Sequence, residues 1–285
     1  MSNLLSIRQQ FETSLSPIYD REEITNLFHI TCEHILNLKR MQLTLRMQEA
    51  LTGEELQQFN LILEHLISGK PIQHILGKAP FLGMEFLVTE DTLIPRPETE
   101  ELVDLIIKDA QDKSGLRLID IGTGSGCIAI SLAKHLQDAR VEAVDISAAA
   151  IYVAQENARQ HQVNIDFKCL DILEWELTID DQQRFDIIVS NPPYITQEEK
   201  EAMHRNVLQF EPHTALFVED AAPLLFYDYI ASFAEQHLEK DGTLYFEINQ
   251  YLAEETKDLL LKKGFADVQI LNDINAVPRM IKAKF

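Results

Sequence analysis

Strand-like and helix-like segments alternate throughout the chain after residue 101, and this alternation constrains the fold more than any other feature of the sequence. Each strand-like segment is a short, mostly apolar run that is followed by a segment with helical periodicity. Apolar strands separated by helices are typical of a mostly parallel sheet. The predicted strands are LRLIDIG, VEAVDIS, VNIDFKCLDI, FDIIVSNPPY, GTLYFEI and ADVQIL. We therefore predict an α/β domain over residues 101–285, with ligands at the carboxyl ends of its strands.

A separate helical domain is predicted over residues 1–72, which contain little glycine. Two pairs of residues have capping-box spacing just before an apolar-periodic segment, Asp20 with Glu23 and Thr52 with Glu55. The apolar residues that recur at helical spacing after the second pair are Leu56, Phe59, Leu63, Leu66 and Ile67. These residues predict one buried stripe on a helix.

A second apolar group lies between the two capping signals. It consists of Met41, Leu43, Leu45 and Met47. Such a group could form a binding surface, but apolar side chains of this kind are more often buried. We therefore expect these residues to pack in the core of the helical domain.

The segment 73–100 is richer in glycine, proline and aromatic residues than the helical domain before it. Short extended pieces such as FLGMEFLV alternate with turn signals, which predicts a β-hairpin linker between the two domains. Pro95 and Pro97 flank Arg96 and stiffen the end of this linker. Arg96 and Glu98 could form a structural pair or part of a site entrance, and the sequence leaves both roles open.

The formal net charge of the chain is −21, which bears on its partners more than on its fold. A field of this sign repels the phosphate backbone, so we expect no stable nucleic-acid binding. No apolar run approaches the roughly 20 residues of a membrane-spanning helix, and no signal-peptide pattern is present, so we expect a cytoplasmic protein without a membrane partner. The three cysteines are unclustered, which argues against a disulfide framework or a zinc site.

A glycine-rich turn, DIGTGSG at residues 120–126, ends the first predicted strand of the α/β domain and runs into a helix. Glycines at such a turn let the backbone bend sharply and approach a ligand closely. The spacing differs from the G-x-G-x-x-G of dinucleotide sites, and no lysine follows as in a P-loop. The turn therefore indicates a ligand site of another kind.

Acidic residues end the next two predicted strands. Asp145 lies 25 residues after Asp120, about one strand-helix-strand unit, and its carboxylate could accept hydrogen bonds from both hydroxyls of a ribose. Asp171 could accept a hydrogen bond from an exocyclic amine while Ile172 covers the adjacent ring. Each aspartate alone is more often a cap or a turn residue, but together with the glycine turn they predict a nucleoside-type cofactor.

The stretch VSNPPYI, residues 189–195, ends the fourth predicted strand with an amide, two prolines and an aromatic ring. Proline has a fixed φ and no N–H, and a residue before proline is held extended. The carbonyl groups at this point are therefore held away from regular strand pairing. A stiff turn would use the same residues, but the combination with the glycine turn favours a functional role.

These motifs resemble those of a known group of enzymes. DIGTGSG, the two acidic strand ends and NPPY are similar to the motifs of class I S-adenosylmethionine-dependent methyltransferases that methylate a planar NH2 group. PIQHILG, IPRPETEEL, GTLYFEI and DINAVPR resemble the PrmC/HemK-type enzymes in particular, which methylate a glutamine of peptide chain release factors. The resemblance implies a Rossmann-like domain with a mostly parallel seven-stranded sheet, a small N-terminal domain that recognises the substrate, and S-adenosyl-L-methionine as cofactor.

The resemblance also implies roles for individual residues. Catalysis would use Asn191, Pro192 and Tyr194, and Pro193 would join them in binding the substrate. The oxygen of Asn191 and the carbonyl of Pro192 would each accept a hydrogen bond from the substrate NH2, with Tyr194 stacked on the flat amide. No metal is implied, because the methyl donor already carries a positive charge. The implied cofactor-binding residues are Gly122, Thr123, Gly124, Ser125, Gly126, Asp145, Asp171, Ile172 and Asn191.

The chain departs from the family pattern at three places. Ile172 stands where an aromatic residue is often found, and Asn249 stands where glycine is often found. The segment FVEDAAPLL, residues 217–225, replaces a glycine-rich segment. These departures change the expected contacts with the cofactor but not the expected reaction.

Two other functions remain open on the sequence. NPPY alone also suits an adenine-N6 methyltransferase of DNA or RNA, although this acidic chain has no obvious basic groove. A cofactor-binding interaction protein without catalysis is the second alternative, and the intact NPPY argues against it. IPRPETE favours the glutamine branch. We interpret His74 and His213 as structural residues.

Overall fold

The computed structural model describes residues 3–202 and 205–285. They divide into a helical unit of residues 3–77 with 205–210 and an α/β unit of residues 78–202 with 211–285. In chain order, the α-helices are α1 (Leu4–Leu15), α2 (Arg21–Leu36), α3 (Arg40–Arg46), α4 (Gly53–Ile67), α5 (Ile72–Leu76), α6 (Pro97–Ala110), α7 (Cys127–His135), α8 (Ala148–His161), α9 (Trp175–Thr178), α10 (Arg205–Phe210), α11 (His213–Leu216), α12 (Leu225–His237) and α13 (Ala253–Lys262). The β-strands are β1 (Lys78–Phe81), β2 (Met84–Leu87), β3 (Arg117–Ile121), β4 (Arg140–Asp145), β5 (Ile165–Cys169), β6 (Phe185–Ser190), β7 (Leu238–Glu247), β8 (Asp267–Asn272) and β9 (Pro278–Lys284). The predicted α/β class with an N-terminal helical region is confirmed.

Both predicted capping signals begin a helix of the helical unit. The Asp20 carboxylate accepts a hydrogen bond from the Glu23 backbone N–H at 2.8 Å and begins α2. At the start of α4, the Thr52 hydroxyl accepts from the Glu55 N–H at 3.2 Å, and the Glu55 carboxylate accepts from the Thr52 N–H at 2.7 Å. These bonds satisfy N–H groups that have no partner within the helix. Among the described helices, none has the length and apolar character required to span a membrane.

The predicted stripe on α4 is correct at its centre and wrong at its end. Phe59, Leu63 and Leu66 are buried, and Ile62 joins them, whereas Ile67 is 46% exposed. At 100° per residue, Ile67 lies about 80° around the helix from Phe59. It therefore falls at the edge of the buried face, where the helix ends.

The expectation that the second apolar group packs in the core is wrong for two of its members. Met41 and Leu45 are 85% and 88% exposed, whereas Leu43 is buried and Met47 is half-buried. Helix α3 has only seven residues and buries one face. Met41 and Leu45 are four residues apart, so they lie together on the opposite, exposed face.

Strands β1 and β2 form the predicted β-hairpin, with antiparallel pairing from Lys78–Leu87 to Phe81–Met84. Asn157 of α8 fixes the hairpin, since its amide accepts from the Leu87 N–H at 2.7 Å and donates to the Leu87 carbonyl at 2.9 Å. The same amide donates to the Ser125 carbonyl at 2.9 Å. One buried side chain thus joins the hairpin to the glycine turn.

Within the described residues, seven strands form one sheet in the order β5-β4-β3-β6-β7-β9-β8. Strands β3 to β7 are parallel, and β9 is antiparallel to both of its neighbours. The strand order reverses between β3 and β6, and ligands of such sheets bind at the carboxyl ends beside this reversal. The glycine turn follows β3 and NPPY follows β6. The topology therefore brings the two motifs to one place.

The sheet is buried on both faces, as expected for parallel strands. Leu118 and Ile187 face one apolar cluster with α6 and α7, whereas Ile119 and Ile188 face another with α12 and α13. Strand β9 was not among the predicted strands, because PRMIKAK contains no continuous apolar run. Pairing with β7 and β8 places it in the sheet.

The close approach of α7 to α8 at Gly126 yields a prediction for stability. Gly126 has a φ of 81°, and a Cβ there would lie 3.0 Å from Ile130 Cδ1 and 3.1 Å from Ala154 Cβ. Gly126→Ala should lower the free energy of unfolding by roughly 2–5 kcal/mol, because backbone strain and overpacking add. Urea denaturation followed by the fluorescence of Trp175, the single tryptophan, measures the loss.

Gly264→Ala is the matched control. Gly264 has a φ of 93°, but a Cβ there would meet nothing within 4 Å. This variant should lose only roughly 1–2 kcal/mol, from backbone strain alone. Equal losses in the two variants would show that the contact with Ile130 and Ala154 carries no cost.

Candidate active site

A cavity of about 330 Å³ lies at the carboxyl ends of β3, β4 and β6. Segments 91–93 and 212–217 contribute to its wall, together with the strand ends. The predicted site residues that line it are Gly122, Gly124, Asp145, Asp171, Ile172, Asn191, Pro192 and Pro193. The other predicted site residues, Thr123, Ser125, Gly126 and Tyr194, belong to the same turns but do not line the cavity.

The buried side chain of Asp120 holds the glycine turn on the side away from the cavity. Its Oδ2 accepts from the Thr123 hydroxyl at 2.6 Å and from the Ala129 N–H at 3.2 Å. Burial raises the pKa of Asp120 to about 7, the two hydrogen bonds limit the rise, and the nearby Asp145 adds to it. The turn is also tied to β4, since the Gly122 and Thr123 N–H groups both donate to the Val144 carbonyl.

Asp145 and Asp171 each combine a structural role with a place on the cavity wall. Asp145 accepts from the Gly124 N–H at 2.8 Å and from the Ser147 N–H at 2.9 Å. Burial raises the pKa of Asp145, and these backbone donors oppose the rise. Asp171 caps a short 3-10 helix by accepting from the Leu173 N–H at 2.9 Å. The cap role expected for a single aspartate is thus present, and both residues still line the cavity.

NPPY is held by a chain of side-chain hydrogen bonds that ends on a buried carboxylate. Asn191 Nδ2 donates to the Thr99 hydroxyl oxygen at 3.3 Å, and the Thr99 hydroxyl donates to Glu247 Oε2 at 2.6 Å. The Tyr194 hydroxyl donates to Glu247 Oε1 at 3.1 Å. Burial raises the pKa of Glu247, against the Thr99 and Tyr194 hydrogen bonds and the charge of Arg279. The carboxylate at the end of β7 therefore anchors both ends of the motif.

Comparison with known proteins identifies the family. Residues 7–77 match the model of the PrmC N-terminal domain, and residues 99–213 match the methyltransferase small domain. The release factor glutamine methyltransferase of Flavobacterium psychrophilum is 49% identical over 281 residues, which cover 98% of each chain. That of Bacteroides thetaiotaomicron is 41% identical over 272 residues, covering 95% of this chain and 96% of its own. The chain belongs to the release factor glutamine methyltransferase family.

Solved structures confirm the methyltransferase fold outside this family. The 16S rRNA N2 G1207 methyltransferase of T. thermophilus, solved with AdoMet and guanosine, has a TM-score of 0.53 at 20% identity and covers 73% of this chain and 49% of its own. A methyltransferase from Pyrococcus furiosus has a TM-score of 0.51 at 16% identity, covering 77% and 95%. At these identities, the likeness concerns the fold alone.

Asn249, one of the departures from the release factor glutamine methyltransferase pattern, is buried beside the motif. Its Nδ2 donates to the Tyr194 carbonyl at 3.0 Å and to Glu199 Oε2 at 2.8 Å. Its Oδ1 accepts from the Tyr251 N–H at 2.9 Å. Asn249 does not line the cavity, so this departure bears on the support of NPPY.

The second departure, residues 217–225, begins where the chain pairs with the residue after NPPY. Ile195 N–H donates to the Leu216 carbonyl at 3.0 Å, and Val218 N–H donates to the Ile195 carbonyl at 2.9 Å. Phe217, between them, lines the cavity. The start of this segment therefore both lines the cavity and supports the residue that follows NPPY.

Arg96 of IPRPETE forms a structural pair with Glu211. The guanidinium donates to Glu211 Oε1, and the Ile94 N–H donates to Oε2 at 3.2 Å. The Glu211 side chain is 1% exposed, whereas the Arg96 side chain is 34% exposed, so the pair joins a buried carboxylate to a partly exposed guanidinium. The Arg96–Glu211 pair fixes the chain next to segment 91–93, which lines the cavity.

His74 is buried in α5, and the His213 ring packs edge-on against Phe217.

Sequence reasoning missed two residues that hold the NPPY motif in place, Thr99 and Glu247. Both lie inside motifs that carried the family resemblance, IPRPETEEL and GTLYFEI, but neither was given a role. The usable signal was Glu247 itself, because a carboxylate at the end of an apolar strand is rarely buried without a specific partner. The partner is 148 residues away in the sequence, so the pair could not be recognised from spacing.

The raised pKa of Asp120 predicts a pH-dependent stability term. Its pKa rises from 3.8 to about 7 on folding. Between about pH 4 and pH 7, Asp120 is ionised in the unfolded chain but still protonated in the folded chain, so the free energy of unfolding falls as the pH rises. Asp120→Asn lacks this term. The stability of the variant relative to the wild type should therefore increase between pH 5 and pH 8, by on the order of 2 kcal/mol. Denaturation curves at the two pH values measure it, and an unchanged difference would contradict the assignment.

Proposed function

We propose that this protein transfers a methyl group from S-adenosyl-L-methionine to the side-chain amide nitrogen, N5, of a glutamine in peptide chain release factors. The observation that carries the proposal is a shared cavity, since Asn191 and Pro192 line the same space as Gly122 and Asp145. Donor and acceptor must meet in one site, and the neighbouring strands β3 and β6 supply its two halves. Relatives that match over nearly the whole chain support glutamine as the acceptor. Such a substrate would place the enzyme in the cytoplasm, where translation terminates.

The cavity fits S-adenosylmethionine, the cofactor of this family. Its volume of about 330 Å³ lies in the range of small-molecule sites. Gly122 and Gly124 leave the wall beside the turn free of side chains, and Asp145 keeps lone pairs for ribose hydroxyls after its two backbone hydrogen bonds. Asp171 and Ile172 would hold the adenine by a hydrogen bond and by apolar contact. When bound, the cofactor would supply an electrophilic methyl group on a sulfonium, and transfer would break the methyl C–S bond and leave a neutral thioether.

The task of the protein is to orient the substrate amide, because the lone pair of a carboxamide nitrogen is delocalised into its carbonyl. Asn191 Oδ1 and the Pro192 carbonyl each accept one hydrogen bond from the substrate NH2. These two bonds fix the nitrogen and favour its pyramidal form, with the lone pair directed into the cavity. After transfer, the nitrogen loses its surplus proton to solvent. Stacking of Tyr194 on the amide stays a prediction, since its ring packs against an apolar cluster.

Transfer of label tests the proposal. The protein is incubated with methyl-labelled S-adenosylmethionine and, in separate reactions, a purified release factor, DNA or RNA. Label should appear on one glutamine of the release factor, located by mass spectrometry. Cofactor binding without label on the factor, or faster transfer to nucleic acid, would overturn the proposed substrate.

Asn191→Ala tests the role of the motif in the same assay. The variant loses one of the two acceptors that orient the amide, so kcat should fall roughly 10²–10³-fold. The exposed Asn164 offers the matched control, and Asn164→Ala should transfer methyl groups like the wild type. An Asn191→Ala variant with wild-type kcat would remove Asn191 from the mechanism.

We propose further that the helical unit contributes to recognition of the release factor through the exposed face of α3. Met41 and Leu45 form an apolar pair on this face, and the exposed Lys39 and Arg40 lie beside it. Basic side chains are the minority in a chain of net charge −21. The face therefore suits an apolar and acidic surface of the factor, which the rest of this acidic chain would repel.

Serine at both positions, Met41→Ser with Leu45→Ser, tests this surface. The double variant should raise KM for the intact factor roughly tenfold, as expected for the loss of two apolar contacts, and leave kcat unchanged. Leu177→Ser is the control, since Leu177 is 83% exposed on another unit. An unchanged KM, or a change in oligomeric state by light scattering, would contradict the proposed surface.

A further inference from the structure

The amide of Asn191 has two ends of opposite hydrogen-bonding character, and only one suits a substrate NH2. If the oxygen faces the cavity, it accepts a hydrogen bond from the substrate. If the nitrogen faces the cavity, it presents N–H groups to other N–H groups, which repel. The two orientations have nearly the same shape, so packing alone does not choose between them. A hydrogen-bond partner has to make the choice.

The Thr99 hydroxyl makes this choice because it has a single hydrogen. That hydrogen is donated to Glu247 Oε2 at 2.6 Å, so the oxygen of Thr99 can only accept from Asn191. The Asn191 atom at 3.3 Å from this oxygen must then be Nδ2. Oδ1, at the other end of the amide, is left for the cavity that Asn191 lines.

Glu247 fixes the direction of this chain of hydrogen bonds. The residue is 2% exposed, and the charge of Arg279 favours the ionised form of its carboxylate against the effect of burial. An ionised carboxylate accepts hydrogen bonds and never donates them. Its second oxygen accepts from the Tyr194 hydroxyl at 3.1 Å, so the fourth residue of NPPY is held by the same group as the first. Both hydroxyls therefore have to point their hydrogens at Glu247.

Thr99 is in turn held by the segment IPRPETE. It is the third residue of α6, after Pro97 at the first helical position, and its N–H donates to the Arg96 carbonyl at 3.1 Å. Arg96 is anchored on the buried Glu211. A segment whose role the sequence left open thus has a physical task, which is to place one hydroxyl between Asn191 and Glu247.

We propose that Thr99 and Glu247 are positioning residues, which set the orientation of the Asn191 amide so that an acceptor faces the substrate NH2. The proposal rests on the proposed function and deepens it. Neither residue touches the substrate. They act through Asn191. Their loss would affect the reaction because the Asn191 amide would no longer be held with Oδ1 toward the cavity.

Thr99→Val tests the proposal in the labelled transfer assay. Valine has the shape of threonine but neither accepts from Asn191 nor donates to Glu247. We expect kcat to fall about tenfold or more, the factor that corresponds to one net hydrogen bond, with KM for the release factor and Kd for the cofactor by calorimetry little changed. Thr99→Ser keeps the hydroxyl and should retain kcat within about threefold of the wild type.

A buried threonine elsewhere in the α/β unit is the matched control. Thr256 of α13 is fully buried, and its hydroxyl donates to the Leu252 carbonyl at 2.7 Å. Thr256→Val should change the melting temperature about as much as Thr99→Val does and leave kcat at the wild-type value. The comparison separates a loss of orientation from a loss of stability.

A double-mutant cycle with Asn191→Ala decides whether Thr99 acts through Asn191. Thr99→Val should cost nothing further in the Asn191→Ala background, because no amide is left to orient. Wild-type kcat in Thr99→Val, or the same fold-loss in both backgrounds, would overturn the proposal. If Thr99→Val does not fold, Glu247→Gln replaces it in the same cycle with the same expectations, because glutamine can donate to Thr99 and release its hydrogen. Failure of the wild type to label the factor would instead overturn the proposed function.

Discussion

Burial of a carboxylate is costly unless hydrogen-bond donors surround it, and this requirement ties the wall of the cavity together. Asp120 and Asp145 take donors from the glycine turn. Glu211 takes them from the chain before α6, and Glu247 takes them from α6 and NPPY. In each case the donors belong to segments on or next to the cavity wall. Displacement of a segment would leave a buried or partly buried carboxyl group without its hydrogen-bond partners, so these bonds oppose movement of the wall.

The sheet topology explains why a few residues at the ends of neighbouring strands are enough to form the cavity. Strand β3 lies between β4 and β6, so the turn after β3 is flanked by the end of each neighbour. The glycine turn and Asp145 reach the cavity from β3 and β4, and Asn191 with the two prolines reaches it from β6. In the proposed function, the groups that orient the substrate amide all follow one strand, β6, whereas recognition of the intact factor also uses α3. Different functions on one fold arise from such local differences at the site.

Local signals in the sequence predicted much of the fold. The caps at Asp20 and Thr52 and the glycine turn depend on residues within a few positions of each other. The errors at α3 and β9 concern features that depend on distant partners. Met41 and Leu45 are exposed because none of the described elements covers the second face of α3, and β9 is a strand because β7 and β8 pair with it. Thr99 and Glu247 form their hydrogen bond only when the fold brings together residues 148 positions apart.

The two anchored ends of NPPY also fix its length. The last residue of β6, Ser190, pairs with both neighbouring strands, and Ile195 forms a parallel bridge with Phe217. Only four residues lie between these fixed points, and two of them are prolines. An insertion or deletion would break one of the two pairings, whereas a replacement of the first side chain would leave both intact. Divergence of this enzyme toward another acceptor is therefore expected to proceed by substitution at constant loop length.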